Sequence, residues 1–433
     1  MKIWNEPMET LEGEELVALQ SERLAGTLER VWDAGTPYRV RMEEAGLAPS
    51  DIKGLGDLTR LPFTRKQDFK DNYPLGMLAV PIDKVVRLHA SSGTTGSRTM
   101  VGYTRGDIEN WADLVARFAT AAGVTESDVA QISFTYGLFT GGFGLHYGLE
   151  KVGAAVVPAS GGNTDLQLAL MRDLKTSVLV ATPTYALHLA EVGAERGFDF
   201  EASSLRVGLF GAEPWSEGIR ERIEGVTGMI ATDNYGLSEV VGPGVSGECE
   251  LKRGMHLADD HFIAEVIDPS TGKTLADGQQ GELVLTTLTR EAVPVVRFRT
   301  GDLTVLQRGA CECGRRNTRM AKVLGRTDDM LIIRGVNVYP NQVEKALLEV
   351  DGIAPHFQIV LDRRGELDLL EIQVEVSEGV FSDDTRVMKK FAEKVEGHLK
   401  SALNVRANVS LIEPNTLERG AGKAKRIVDK REV

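Results

Sequence analysis

Cysteine is scarce in this chain. Three are spread over 433 residues, at 249, 311 and 313, and an odd set of three builds no disulfide framework. Aromatic residues make up only 6% of the sequence, and no apolar run approaches the ~18 residues of a membrane span. The opening MKIWNEPMETLEGEEL lacks the basic-then-apolar order of a secretion signal. Positive charge is also short. Fifty Lys and Arg against 63 Asp and Glu leave a net charge of -13, which argues against a nucleic-acid or anionic-membrane partner. The expectation is a cytoplasmic protein that handles small molecules.

Glycine and hydroxyl residues, by contrast, are concentrated. From Ala90 to Thr99 the sequence ASSGTTGSRT holds two glycines and six hydroxyl side chains, between an apolar approach (Val85, Val86, Leu88) and Tyr103. Unobstructed backbone N–H groups and hydroxyl donors suit an anion such as phosphate, although the same residues also make an ordinary solvated turn. A Walker A loop is excluded, because Gly93 and Gly96 are too close together and Ser97-Arg98 follow instead of Lys-Ser/Thr.

A chain of 433 residues exceeds what one core of ~250–300 residues organises, so a large and a small unit are expected. GEELVALQSERLAGTLERVWDAG carries Val17, Leu24, Leu28 and Val31 at helical spacing. Between about 85 and 300, strands such as SVLVATP and LRVGLFGAEP alternate with helices such as TDLQLALMRDLKT. That rhythm predicts a layered α/β core with parallel strands and ligands at their carboxyl ends. From about 261, HFIAEVID, GELVLTTL and VPVVRFRTGDLTVL read as a separate β-subdomain. A polar boundary at GRTDDM divides the chain into residues 1–325 and 326–433. Beyond it a βαββαβ series predicts a small ferredoxin-like α+β domain, and the basic ERGAGKAKRIVDKREV reads as a solvated tail or as the carrier of a ligand-seeking lysine.

Eight segments stand in an order that resembles the adenylate-forming superfamily of acyl-CoA synthetases, and within it the phenylacetate-CoA ligase family. They are SSGTTG, YGLFTGGFGLHYG, ATPTYAL, GAEPW, DNYGLSE, RTGD, GRTDDMLIIRGVNVYP and GKAKR. The opening WNEPMETL and LPFTRKQDFKDNYP are similar to that family too, so the likeness spans the chain.

The resemblance implies that a carboxylic acid attacks the α-phosphate of ATP, and that CoA then displaces AMP from the acyl-AMP. Ser91, Ser92, Gly93, Thr94, Thr95 and Gly96 would hold the phosphates, with Arg98 standing near the family's usual loop lysine. Gly211, Ala212, Glu213, Asp233, Tyr235 and Gly236 would surround the adenine, Asp302 would accept the ribose hydroxyls, and Arg326 would lie near the ribose. Glu239 matches the Mg²⁺-associated acid, which suits a hard cation bound by few carboxylates plus phosphate oxygens. Lys423, rather than its neighbour Lys425, matches the lysine that contacts the α-phosphate, and Asp328 the hinge about which a mobile C-terminal domain turns. Tyr136, Phe139, Phe143, Ala212, Leu237 and Pro243 would line the acid's slot, with His146 either a wall of it or a packed residue.

Cys249, His256, Cys311 and Cys313 form a Cys₃His set that suits a structural zinc; three unligated cysteines are the alternative, since C-x-C is tighter than the usual zinc spacing. The substrates expected are ATP, CoA and an aryl acid, with phenylacetate first and hydroxyphenylacetate, indole-acetate and benzoate as alternatives; a homodimer is also compatible. Similar sequences include enzymes that adenylylate a deazaflavin cofactor, and a third reading is a nucleotide-binding regulator without catalysis.

Overall fold

The computed structural model describes residues 1–91, 99–327, 331–333, 336–364, 367–377, 379–382, 384–414, 416–417 and 426–431. Five short apolar strands lie parallel at its centre, in the spatial order Ala155–Val157, Val129–Ile132, Val178–Ala181, Val207–Gly211, Ile230–Leu237. Val178–Ala181 and Val207–Gly211 are buried along their whole length, as strands covered on both faces must be. The intervening helices start on side-chain caps. Thr182 accepts from the Tyr185 N–H, and Asn163 from that of Leu166.

The β-rich stretch forms as expected but is not separate. Gly242–Glu248 and Met255–Leu257 extend the parallel sheet antiparallel, and Phe298–Gln307 joins them to Gln280–Thr287 and Phe262–Ile267. The cause is the length of Phe298–Gln307. Its residues up to Val305 pair with Gln280–Thr287, while Leu306 and Gln307 pair with the two-residue strand Arg319–Met320.

The smaller unit has its own core, in which Ile333, Val343, Ile359, Ile372, Val374 and Val395 are fully buried. Its sheet runs Asn408–Ile412, Leu367–Val376, Ile353–Arg364, Ile427–Asp429. This corrects the ferredoxin-like order in one respect. MLIIRGVNV, read as the first strand, doubles back as a hairpin, Leu331–Ile333 against Val336–Val338, and Ile427–Asp429 takes the edge place. The basic terminus is therefore structural at RIVD, where it pairs parallel to Ile359–Leu361.

Helix Gly13–Asp33 buries Leu24, Leu28 and Val31, but Val17 is 49% exposed, because the apolar stripe meets the body only in the helix's second half. Among the described residues, no helix is long and apolar enough to cross a membrane.

Candidate active site

Of the predicted nucleotide residues, Gly211, Ala212, Glu213, Asp233, Tyr235 and Gly236 gather at the carboxyl ends of two adjacent parallel strands. Gly211 ends one strand and is in register with Asn234 on the next, and a Cβ there would lie 2.3 Å from the Asn234 carbonyl oxygen. Only glycine lets the two strands pair at that point. Ala212 follows at φ +71°, a left-handed conformation that costs an alanine of the order of 1 kcal/mol or more and persists only where neighbours dictate it. Glu213 then accepts from the Thr184 N–H at 2.9 Å, bridging two strand ends.

Asp233 is 7% exposed, and burial, with Glu248 beside it, pushes its carboxyl up to about 7. Glu248 accepts from the Asp233 backbone N–H at 2.8 Å and pairs with Arg220 at 2.7 Å. Two residues along, the Tyr235 hydroxyl donates to Asp302 Oδ2 at 2.6 Å. The other oxygen of Asp302 accepts from Arg326 Nη1 at 2.5 Å, a pair that the antiparallel register Asp302↔Arg326 sets. Burial, and then Asp302, raise the Tyr235 phenol well above its ordinary range, so it stays a donor. Tyr235, Asp302 and Arg326 thus form one polar cluster, as a carboxylate fixed to receive hydroxyl donors requires.

Glu239 sits in the turn after Ile230–Leu237, 6% exposed, with no hydrogen-bond or ion-pair partner among the described residues. A carboxylate left without a protein partner among the described residues fits a cation. Gly236 is pressed against the strand beginning at Gly242, where a Cβ would meet the Gly242 carbonyl oxygen at 1.9 Å.

Tyr136, Phe139, Phe143, Ala212, Leu237 and Pro243 are all half-buried, neither core nor free surface. Tyr136 stands edge-on to Phe143, with ring centres 5.2 Å apart. The Tyr136 hydroxyl lies 3.1 Å from His146 Nδ1, and His146 Nε2 lies 3.1 Å from Glu150. His146 is therefore a tether of Tyr136.

Two residues here escaped the sequence reading. The Arg87 guanidinium lies over the rings of Phe143 and Tyr147, at 5.3 and 4.7 Å. His89, 1% exposed, donates through Nδ1 to the Leu138 carbonyl at 3.0 Å, and the Ala90 N–H reaches the same oxygen at 2.8 Å. Their signal was the alternation Arg87-x-His89 leading into the glycine loop. The neck of that loop is closed by Ser91 N–H to the Thr99 carbonyl, 2.9 Å, and Thr99 N–H to Ser91 Oγ, 3.1 Å. Ser92, Gly93, Thr94, Thr95, Gly96, Arg98, Asp328 and Lys423 lie outside the described residues.

Away from this site, ligand atoms of Cys249, His256, Cys311 and Cys313 lie within 4.8 Å of one another, and all four residues are buried. His256 Nε2 is 3.5 Å from Cys313 Sγ, while its Nδ1 is buried without a partner among the described residues. Cys249 leans on the Cys313 sulfur, which draws the Cys313 thiol down and pushes its own up. Arg315 Nη1 lies 3.8 Å from Cys313 Sγ, and the same guanidinium bonds Glu9 at 2.5 Å and the Lys2 carbonyl at 3.0 Å.

Residues 49–288 match the family model of AMP-binding enzymes, and residues 335–431 match that of the AMP-binding enzyme C-terminal domain. Fold and site together define an AMP-binding enzyme. The chain is 47% identical to the phenylacetate-coenzyme A ligase of Thermus thermophilus over 98% of both chains. It is 45% identical to that of Escherichia coli, over 99% of this chain and 98% of the other. It belongs to the phenylacetate-CoA ligase family.

Among solved structures it resembles 2-hydroxyisobutyryl-CoA ligase in the postadenylation state with 2-HIB-AMP, at TM-score 0.93 and 30% identity over 99% of this chain and 92% of that one. Against the same enzyme with 2-HIB-AMP and CoA in the thioesterification state, the TM-score is 0.72 at 31% identity, over 98% of this chain and 92% of that one.

Proposed function

We propose that this protein activates phenylacetate with ATP to phenylacetyl-AMP and transfers the acyl group to coenzyme A, releasing pyrophosphate and then AMP in the cytoplasm. The observation that carries this reading is the cluster Tyr235, Asp302 and Arg326 beside Gly211–Glu213 at the strand ends, in a chain nearly half identical to named ligases along its whole length.

In the first half-reaction the acid lies in the slot of Tyr136, Phe139, Phe143, Ala212, Leu237 and Pro243, whose mixture of rings and small residues suits a flat aryl group. Gly211, Ala212, Glu213, Asp233, Tyr235 and Gly236 receive the adenine. A carboxyl poised near neutrality at Asp233 can donate to a ring nitrogen or accept from an amino group. Asp302 accepts the ribose hydroxyls while Tyr235 and Arg326 keep it oriented. Ser91 and residues 92–96, with Arg98, cradle the β- and γ-phosphates. Glu239 would hold Mg²⁺, which supplies charge neutralisation at the phosphates when bound. Lys423 brings a compact positive charge to the α-phosphate and the attacking carboxylate.

The second half-reaction follows rotation of the C-terminal unit, residues 326–433, about Asp328, which exposes the acyl-AMP carbonyl to the CoA thiol. Cys249, His256, Cys311 and Cys313 would hold a structural zinc, with all four ligands supplied by the protein and no open position.

Product analysis tests the reading: ATP, Mg²⁺ and a panel of aryl and alkyl acids, each with and without CoA, followed by mass spectrometry. A thioester formed only with CoA, and most from phenylacetate, is expected. Silence across the panel would overturn it.

A further inference from the structure

Resting on that reading, we infer that Glu344 is a positioning residue: it docks the segment that carries Lys423 onto the segment that binds adenine. Glu344 lies in helix Pro340–Leu348 of the small unit and is 1% exposed. One of its carboxylate oxygens accepts from the Ser216 backbone N–H at 3.1 Å, and the other pairs with Arg426. Ser216 directly follows GAEPW and caps helix Glu217–Thr227. Arg426 opens the edge strand Ile427–Asp429, three residues beyond Lys423. A single buried carboxylate therefore holds the adenine segment on one side and the lysine's own segment on the other.

The surroundings favour this geometry. The Arg426 guanidinium lies over the Phe357 ring at 4.6 Å. Burial lowers its proton affinity and the charge of Glu213 partly restores it, so the cation faces the nucleotide motif as well as Glu344. Removing one partner of a buried pair leaves the other uncompensated, which makes the pair a firm clamp. Three residues span at most about 11 Å of chain, so fixing Arg426 bounds the reach of Lys423.

The two bonds of Glu344 have different lifetimes in the cycle. Its pair with Arg426 lies within the C-terminal unit and travels with it. Its bond to Ser216 crosses to the large unit, as does that of Arg222 to the Ile353 carbonyl at 2.9 Å. The chain matches a relative in the postadenylation state far better than the same relative in the thioesterification state. The Ser216 bond thus belongs to the adenylating arrangement and is released by rotation.

The test compares the two half-reactions: pyrophosphate release from acid and ATP, and thioester formation from supplied phenylacetyl-AMP and CoA. In Glu344→Gln the first should fall at least tenfold in kcat, with the KM for acid nearly unchanged, and the second should stay within twofold. The retained second half-reaction also reports a folded C-terminal unit. Ser216→Pro removes the donated N–H together with the capping hydroxyl and should reproduce the loss, whereas Ser216→Ala, which loses the hydroxyl alone and keeps that N–H, should not. Added to Lys423→Ala, Glu344→Gln should lower the residual adenylation no further. Equal loss in both half-reactions, no loss in either, or full additivity with Lys423→Ala would overturn the inference. A wild-type protein that adenylates no acid would instead sink the proposed function, before any variant is compared.

Discussion

Asp233 carries a proton that a carboxyl in water gives up. Its unfolded counterpart titrates near pH 4, whereas burial first, and Glu248 second, push the folded group up to about 7. Across that window the folded state binds more protons than the unfolded chain, so this residue makes the protein less stable as pH rises, with no further change above it. Asp233→Asn should therefore gain on the wild type in denaturant unfolding between pH 5 and pH 8; a constant offset would contradict the shift. Asp302 is held at both of its oxygens by donors, Tyr235 on one and Arg326 on the other. In Asp302→Asn an amide N–H would confront Tyr235 or Arg326, and AMP affinity measured by calorimetry should fall about tenfold to a hundredfold, the worth of a charge-assisted bond. Asp233, Tyr235, Asp302 and Glu239 were named by their motifs, and of these the structure joins Tyr235 to Asp302. Arg87 and His89 were not, since a cation over two rings and a tethered carbonyl depend on which side chains the fold brings opposite.

At the scale of elements, periodicity gave the strands and helices, and pairing was the hidden variable. GELVLTTL forms a strand as read, VPVVRFRTGDLTVL does so only from Phe298, and nothing in their composition says that a ten-residue strand serves three neighbours and welds the β-rich stretch to the parallel sheet. RIVD, three apolar-to-acidic steps inside a basic run, was masked by its flanking charge and became an edge strand. Close packing of strands carries its own prediction. Gly211→Ala forces a methyl onto the Asn234 carbonyl, and overpacking of this kind costs ~1–3 kcal/mol. The variant's midpoint in urea should drop accordingly, with loss of AMP binding at the displaced strand end. The cysteine cluster predicts about one zinc per chain in metal analysis of protein purified without added zinc. Because Arg315 links Cys313 to Glu9 and Lys2, chelation should speed proteolysis within the first residues. Metal-free protein with a protected N-terminus would remove the site.

Considered whole, the molecule is a large unit and a smaller one with its own core, met by bonds such as Glu344 to Ser216 and Arg222 to Ile353, which on the proposed reading would belong to one half-reaction. A polar break near residue 325 was the sequence signal for a boundary, whereas the orientation of one unit on the other had none, since it involves residues of no motif such as Ser216, Arg222, Glu344 and Ile353. Adding CoA to enzyme that holds a non-reactive acyl-AMP analogue should lower hydrogen-exchange protection at residues 216–220; unchanged protection would mean that the units do not part there.

The carbonyl of Leu138 has a consequence for how the substrates sense one another. It receives Ala90 and His89 from the strand that leads into the glycine loop, while its own segment carries Tyr136 and Phe139 of the proposed acid slot. On the proposed roles, an acid ring that shifts this segment would pull on Ala90 and His89 through one oxygen. Acid and nucleotide would then be thermodynamically linked, and linkage is reciprocal. The dissociation constant for ATP should change with the size of the acid's ring system, and that for the acid should change by the same factor with ATP present.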